Sequence, residues 1–280
     1  MSTVEAKSIQ KRMSSRVAVL ETQALTRRFG SLTAVDNFTV EILGGEMFGL
    51  VGPNGAGKST VIKMLTTLLP PTSGNASIAG YDILHHPSQV RRVIGYVPQL
   101  LSADGSLTGY ENLLIFAKLY SLTRDERKER VQEALDFMGL TEVADRLVRN
   151  YSGGMIRRLE IAQSMLHRPK VLFLDEPTVG LDPIARGAVW AHIEKLRDNY
   201  GTTILLTTHY MEEADALCTR VAIMHLGKVV AIGTPTALKS SVSPGATLND
   251  VFTHYAGYEL ESTGNFRDVS RTRRTAQRLA

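Results

Sequence analysis

Apolar residues fall along this chain in short runs whose period changes with position. Residues 17–22 and 38–42 alternate and carry β-branched side chains, which predicts half-buried strands. Gly44-Gly45 marks a turn, and the apolar run 46–51 then predicts a buried strand. Phe29-Gly30 is expected in a loop of this first, antiparallel β layer. Beyond a glycine-rich stretch, Val61, Ile62, Met64 and Leu65 predict the opening turns of a helix. Turn residues mark 70–80, and residues 92–97 predict another strand, ending at Pro98-Gln99.

The period then lengthens. Leu113, Phe116 and Ala117, followed by Val131, Ala134, Leu135 and Met138, recur at helical spacing and predict helices over 110–122 and 125–138. Asp125-Glu126 suit the start of the second and Gly139 its end. A third helix follows Tyr151-Ser152-Gly153-Gly154, with Met155, Leu159, Ala162 and Leu166 on one stripe and Pro169 as its stop. Val171-Leu172-Phe173-Leu174 is continuously apolar, as a central parallel strand requires. Asp182-Pro183 pairs an N-cap with proline at the first helical position. Strand 202–208, helix 211–218, strand 221–224 and a hairpin through Leu226-Gly227 complete the pattern, with a short helix expected over 247–254. The fold class is therefore α/β, with an antiparallel β subdomain and an inserted helical subdomain. The expected division is an arm over 1–16, a main domain over 17–240 with its helical part at about 100–168, and an extension over 241–280.

Composition narrows this only moderately. With 280 residues, 43% hydrophobic and 21% charged, the chain can bury a full core. No apolar run approaches the ~18 residues that span a bilayer, and residues 1–16 lack the apolar centre of a secretory signal. One cysteine, Cys218, excludes an internal disulfide and agrees with a reducing compartment. The net charge of +4 is mixed in sign through the body of the chain, so no nucleic-acid partner is expected. Five arginines between 267 and 278 make a basic tail, read as disordered.

The chemistry concentrates first at Gly52-Pro53-Asn54-Gly55-Ala56-Gly57-Lys58-Ser59-Thr60, which fits G-x-x-x-x-G-K-[ST] between a predicted strand and a predicted helix. Glycines let the backbone approach an anion closely. The helix N-terminus adds N–H donors and positive dipole. Lys58 is placed to meet the β- and γ-phosphates of a bound triphosphate, and Ser59 to ligate Mg²⁺. Asp175 and Glu176 end the apolar strand at 171–174. Asp175 is expected to hold Mg²⁺, and Glu176 to polarise the attacking water as general base. His209 ends a neighbouring strand on the same sheet edge, where ligands bind in α/β folds, and is expected to contact the γ-phosphate and the attacking water. Gln99 stands at a third strand end, where it would contact Mg²⁺ and the water.

Together these residues resemble the nucleotide-binding subunit of an ATP-binding cassette transporter, over roughly residues 17–240. Residues 52–60 resemble its Walker A motif, 171–176 its Walker B motif, Gln99 its Q-loop, His209 its switch histidine and Leu181-Asp182 its D-loop. Ser152-Gly153-Gly154 resembles the family signature L-S-G-G-Q, with Tyr151 in place of Leu and Met155 in place of Gln. The Tyr-Ser-Gly-Gly-Met form, followed by Arg157-Arg158-Leu159-Glu160, is similar to drug exporters of the daunorubicin-resistance type. The segment Ala246 through Phe252, following Gly233-Thr234-Pro235, is similar to that subgroup's C-terminal end.

The resemblance implies a RecA-like P-loop NTPase core that binds ATP with Mg²⁺ and hydrolyses it. It places Phe29 where an aromatic stacks on adenine. It implies a head-to-tail dimer in which Ser152, Gly153 and Gly154 of one copy cap ATP on the other. It also implies a separate integral membrane permease and a peripheral position on the cytoplasmic face of the cell membrane. Leu100, Leu101, Leu107 and Tyr110 are the expected docking residues, unless they belong to the helical core. A soluble cassette ATPase acting on nucleic acid or ribosomes is the competing class. It commonly carries two cassettes or a coiled-coil insertion, and this chain shows neither. A P-loop kinase or GTPase gives no reason for Ser152-Gly153-Gly154 and His209 together.

Overall fold

The computed structural model describes residues 17–257. The expected arm at 1–16 and the basic tail lie outside the described residues. In chain order the strands and helices begin with β1 (Ala18–Phe29), β2 (Leu32–Phe38), β3 (Glu41–Leu43), β4 (Met47–Val51) and α1 (Lys58–Leu65). Next come β5 (Ser73–Ile78), β6 (Tyr81–Asp82), α2 (Pro87–Val93), β7 (Ile94–Val97), α3 (Gly109–Leu119), α4 (Arg124–Phe137) and α5 (Gly153–Met165). The chain closes with β8 (Val171–Asp175), α6 (Pro183–Tyr200), β9 (Thr203–Thr208), α7 (Met211–Leu217), β10 (Arg220–His225), β11 (Lys228–Gly233), α8 (Pro235–Val242) and α9 (Leu248–Ala256).

Two sheets result. The larger has the order β11-β10-β4-β9-β8-β7. All its pairings are parallel except the β10–β11 hairpin. The smaller is antiparallel, in the order β2-β1-β5-β6 with β3 also on β1. Strand periodicity divides the core. Met47 and Val51 of β4 and Leu172 and Leu174 of β8 face the helical side. Phe48, Leu50, Val171 and Phe173 face α1 and the antiparallel sheet. The large sheet is thus buried on both faces, which is why its strands read as continuous apolar runs.

Helix caps explain why the insert is helical where it is. Thr108 and Thr123 each accept from the N3 backbone while Glu111 and Glu126 reach back, forming two capping boxes. Asp182 caps α6 by accepting from Ile184 and Ala185, with Pro183 at the first position.

Four expectations are corrected. The stretch 70–80, expected as turns, contains β5, which pairs antiparallel with β1 from Leu20 and Ile78 to Thr26 and Ser73 and is set by that partner rather than by its own polar sequence. The strand placed at 38–42 is two strands. Asn37 takes a left-handed φ of 57°, and Val40 is held by the Thr22 hydroxyl, so the chain breaks between β2 and β3. The strand placed at 92–97 starts only at Ile94, because Pro87 opens a short helix that runs through Val93. Phe29 is the last strand residue of β1, paired with Leu32, rather than a loop residue. Two helices went unforeseen, α2 and α8. Thr234 accepts from Ala237 with Pro235 at the first position of α8, a cap of the same kind as Asp182-Pro183.

Candidate active site

The site forms where β4, β8 and β9, neighbours in the large sheet, all end on one edge. The loop after β4 is shaped by backbone freedom. Gly57 has φ 103°, and a Cβ there would stand 2.4 Å from the Ala34 carbonyl oxygen on β2. Gly52 would meet the Met224 carbonyl oxygen at 2.2 Å. Any side chain at either position would force the loop off β2 or β10. Asn54 and Gly55 are exposed at the tip, whereas Ala56 is buried beneath it.

Lys58, the first residue of α1, is 4% exposed. Its Nζ donates to the carbonyls of Gly52 at 2.7 Å and Pro53 at 3.0 Å, and pairs with Glu176 Oε1 at 3.2 Å. All three ammonium hydrogens therefore have partners. Ser59 Oγ donates to Asp175 Oδ1 at 3.0 Å. Thr60 continues the first turn of α1, half-buried. Glu176 is also 4% exposed, and its Oε2 lies 2.7 Å from His209 Nδ1. Glu176 holds φ 51°, a left-handed conformation that turns its side chain away from the β8 direction set by Asp175.

Burial acts on both members of the Lys58–Glu176 pair, with different outcomes. For Lys58, burial dominates and pushes the ammonium below its ordinary range, partly countered by Glu176 and Asp175. For Glu176, burial pushes the carboxyl up. The hydrogen bond to His209 and the charge of Lys58 together outweigh it and hold the group below the usual glutamate range. Glu176 has two such partners and Lys58 one main carboxylate, so the carboxylate is the better stabilised.

Sequence reasoning missed Thr207. This wholly buried residue of β9 donates its hydroxyl to Asp175 Oδ1 at 2.6 Å and accepts from the Glu176 backbone N–H at 3.0 Å. It thereby fixes the junction between the two carboxylates. The available signal was a hydroxyl two residues before His209 in a strand otherwise apolar at its centre.

Other expected residues lie apart from this cluster. Gln99 is exposed, two residues beyond the end of β7, the strand beside β8. Phe29 is 43% exposed at the tip of the β1–β2 hairpin, with the Arg27 guanidinium 4.6 Å from its ring centre. β2 passes the phosphate loop at Ala34, so the hairpin stands beside that loop. Ser152 caps α5 by accepting from Met155. Ser152 and Gly153 are exposed, and Gly154 is pressed so closely to α6 that a Cβ would lie 2.9 Å from that of Ala185. A Cβ on Gly153 would touch Leu181, so residues 152–154 stand beside the loop bearing Asp182. Among the described residues no hydrogen bond or ion pair joins 152–154 to 52–60. Tyr151 is buried and donates to the Val143 carbonyl at 2.6 Å. Of the expected docking residues, Leu100 and Leu101 are exposed, while Tyr110 is half-buried and packs on the helical core.

A glycine loop at a helix N-terminus, on a mostly parallel sheet with adjoining carboxylates at the next strand ends, defines a P-loop nucleoside triphosphatase. The comparisons carry this further. The ABC transporter family model matches residues 35–179. The daunorubicin/doxorubicin resistance ATP-binding protein DrrA of Streptomyces peucetius is 46% identical over 223 residues, covering 80% of this chain and 67% of that protein. The linearmycin resistance ATP-binding protein LnrL of Bacillus subtilis is 41% identical over 222 residues, covering 79% and 71%. A solved ATP-binding subunit of an ABC transporter superposes with TM-score 0.76 at 30% identity, covering 85% of this chain and 99% of that one. A cassette solved as a dimer with ADP and Pi superposes with TM-score 0.68 at 27% identity, covering 77% and 98%. The chain belongs to the ATP-binding cassette transporter family, and it is an ATP-binding, ATP-hydrolysing subunit of that family. No helix among the described residues is long and apolar enough to cross a membrane.

Proposed function

We propose that this subunit powers export of a drug-like or lipophilic compound through a separate membrane permease. In this reading it acts as a head-to-tail homodimer on the cytoplasmic face of the cell membrane. The observation that carries the dimer is the divided site. Lys58, Ser59, Asp175, Glu176, Thr207 and His209 converge on one loop, whereas the N-terminus of α5, with Ser152 and Gly153 exposed and Gly154 packed on α6, has no bond to that loop. A second copy would bring its α5 N-terminus, with free N–H groups and positive dipole, to the γ-phosphate. The names of DrrA and LnrL support the drug-like cargo. They give no support to the nucleic-acid alternative.

In this mechanism Phe29 offers its ring face to the adenine. The backbone of 52–57 wraps the phosphates, and Lys58 exchanges Glu176 for the γ-phosphate. The Ser59 and Asp175 oxygens, 3.0 Å apart, form the hard oxygen pair that suits Mg²⁺, which takes few protein ligands alongside phosphates and water. Gln99 would join them from the end of β7. The ion would neutralise charge developing on the phosphoryl oxygens. Glu176, released from Lys58, accepts a proton from the water whose oxygen attacks γ-phosphorus. The bond to the bridging oxygen breaks and ADP leaves with the electron pair. His209 keeps its hold on Glu176 Oε2 and orients it, and Asp182 caps α6 beside the signature turn. Leu100 and Leu101 are the exposed apolar pair that would meet the permease.

The test is Glu176→Gln. It should bind ATP normally, lose hydrolysis by at least about a hundredfold and accumulate as a dimer with MgATP in size-exclusion chromatography. Normal turnover would remove the general base from this account, and a monomer with MgATP would remove the shared site. Copurification of the wild-type subunit with an integral membrane protein tests the transport reading separately.

A further inference from the structure

The sequence Arg157-Arg158-Leu159-Glu160, which follows the signature turn, is not used by the mechanism above. Arg157 and Glu160 are each about 2% exposed, one turn apart on α5, and their side chains pair at 3.0 Å. What they grip lies outside the helix. Arg157 Nη1 donates to the Pro98 carbonyl at 2.7 Å and Nη2 to the Gln99 carbonyl at 2.8 Å. Glu160 Oε1 accepts from the Ser102 backbone N–H, from the Ser102 hydroxyl at 3.1 Å and from the Ala103 N–H at 3.3 Å. One buried ion pair thus holds both ends of the loop 98–103 against the helix whose first residues are the signature.

We infer that Arg157, clamped by Glu160, is a positioning residue for Gln99. It fixes the backbone from which that amide reaches the γ-phosphate side of the site, and it makes Gln99 move with α5. The inference rests on the proposed role of Gln99. The guanidinium fork supplies the geometry. Two consecutive carbonyls presented to the two terminal nitrogens of one guanidinium fix direction as well as distance, which a lysine point charge cannot do. A buried ion pair is a weak source of stability, since apolar replacement of both partners is often neutral. Its value here is geometric. Loop 98–103 also carries exposed Leu100 and Leu101, so a displacement there is passed to Ser152 through the same pair.

The experiment compares Arg157→Lys, Gln99→Ala and the double variant, using MgATP turnover and ATP affinity. Arg157→Met combined with Glu160→Met, which leaves no unpaired buried charge, serves as a second perturbation should the lysine variant fold poorly. The expected result is a kcat about tenfold lower for Arg157→Lys, ATP affinity within about threefold of wild type, and a raised Mg²⁺ requirement. The double variant should turn over no more slowly than Gln99→Ala alone, since both changes remove one action. Wild-type kcat in both Arg157 variants, with Gln99→Ala impaired, overturns the positioning role. Losses that multiply in the double variant overturn it equally. Normal turnover in Gln99→Ala instead removes the role of Gln99 itself, and the inference falls with it.

Discussion

Replacing Thr207 by valine isolates the hydroxyl between the two carboxylates. The side chain is wholly buried, and valine keeps its branched shape, so packing on β9 is preserved. What is lost is the 2.6 Å hydrogen bond to Asp175 Oδ1. The Glu176 N–H loses one acceptor but keeps the Thr207 carbonyl at 3.1 Å. A hydrogen bond to a charged group contributes roughly 1.5–3 kcal/mol, so the loss in stability should be about 2 kcal/mol. For a domain of this size that corresponds to a fall in Tm of about 4–8 °C. Turnover should fall about tenfold, because Asp175 and the backbone of Glu176 lose their common anchor. Differential scanning calorimetry and a steady-state ATPase assay read the two effects. A Tm within 1 °C or so of wild type, together with unchanged turnover, would show that Thr207 anchors nothing and would refute the reasoning.

Other predictions follow from the same contacts. Lys58→Ala should weaken ATP binding severely, as measured by calorimetric titration; unchanged affinity would undo the phosphate-loop assignment. The Glu176 carboxyl is held below its ordinary range, so its contribution to stability is fully present above about pH 4.5 and is lost as pH falls through its folded pKa. Tm should therefore drop more steeply on acidification in wild type than in Glu176→Gln, and parallel profiles would contradict the linkage. Tyr151→Phe should cost about 1 kcal/mol by removing its hydrogen bond to the Val143 carbonyl, which keeps the Arg146 N–H at 3.0 Å. A Cβ on Gly109 would lie 2.3 Å from the Tyr151 hydroxyl, so Gly109→Ala should destabilise wild type more than Tyr151→Phe. Additive losses would show that the two positions are not in contact.

Local rules carried much of this molecule. The glycine loop, the run at 171–174 ending in Asp175-Glu176, and the Asp182-Pro183 cap were legible because each is decided by backbone chemistry within a few residues. The same locality explains the errors. A four-residue strand and a short proline-initiated helix at 87–97 share their apolar residues, and period alone cannot divide them. The break at Thr39 and Val40 depends on a hydroxyl from Thr22, eighteen positions away. In the site, the sequence by itself determined which chemical groups exist: an ammonium, two carboxylates, an imidazole and a helix N-terminus bearing Ser152. The tertiary structure decided how they pair. It brought Thr207 between Asp175 and Glu176, set Lys58 against Glu176, and hung Gln99 on Arg157, fifty-eight residues away. Such pairings come from neighbouring strands in a parallel sheet and from a helix packed across it, where crossovers make sequence separation uninformative about distance.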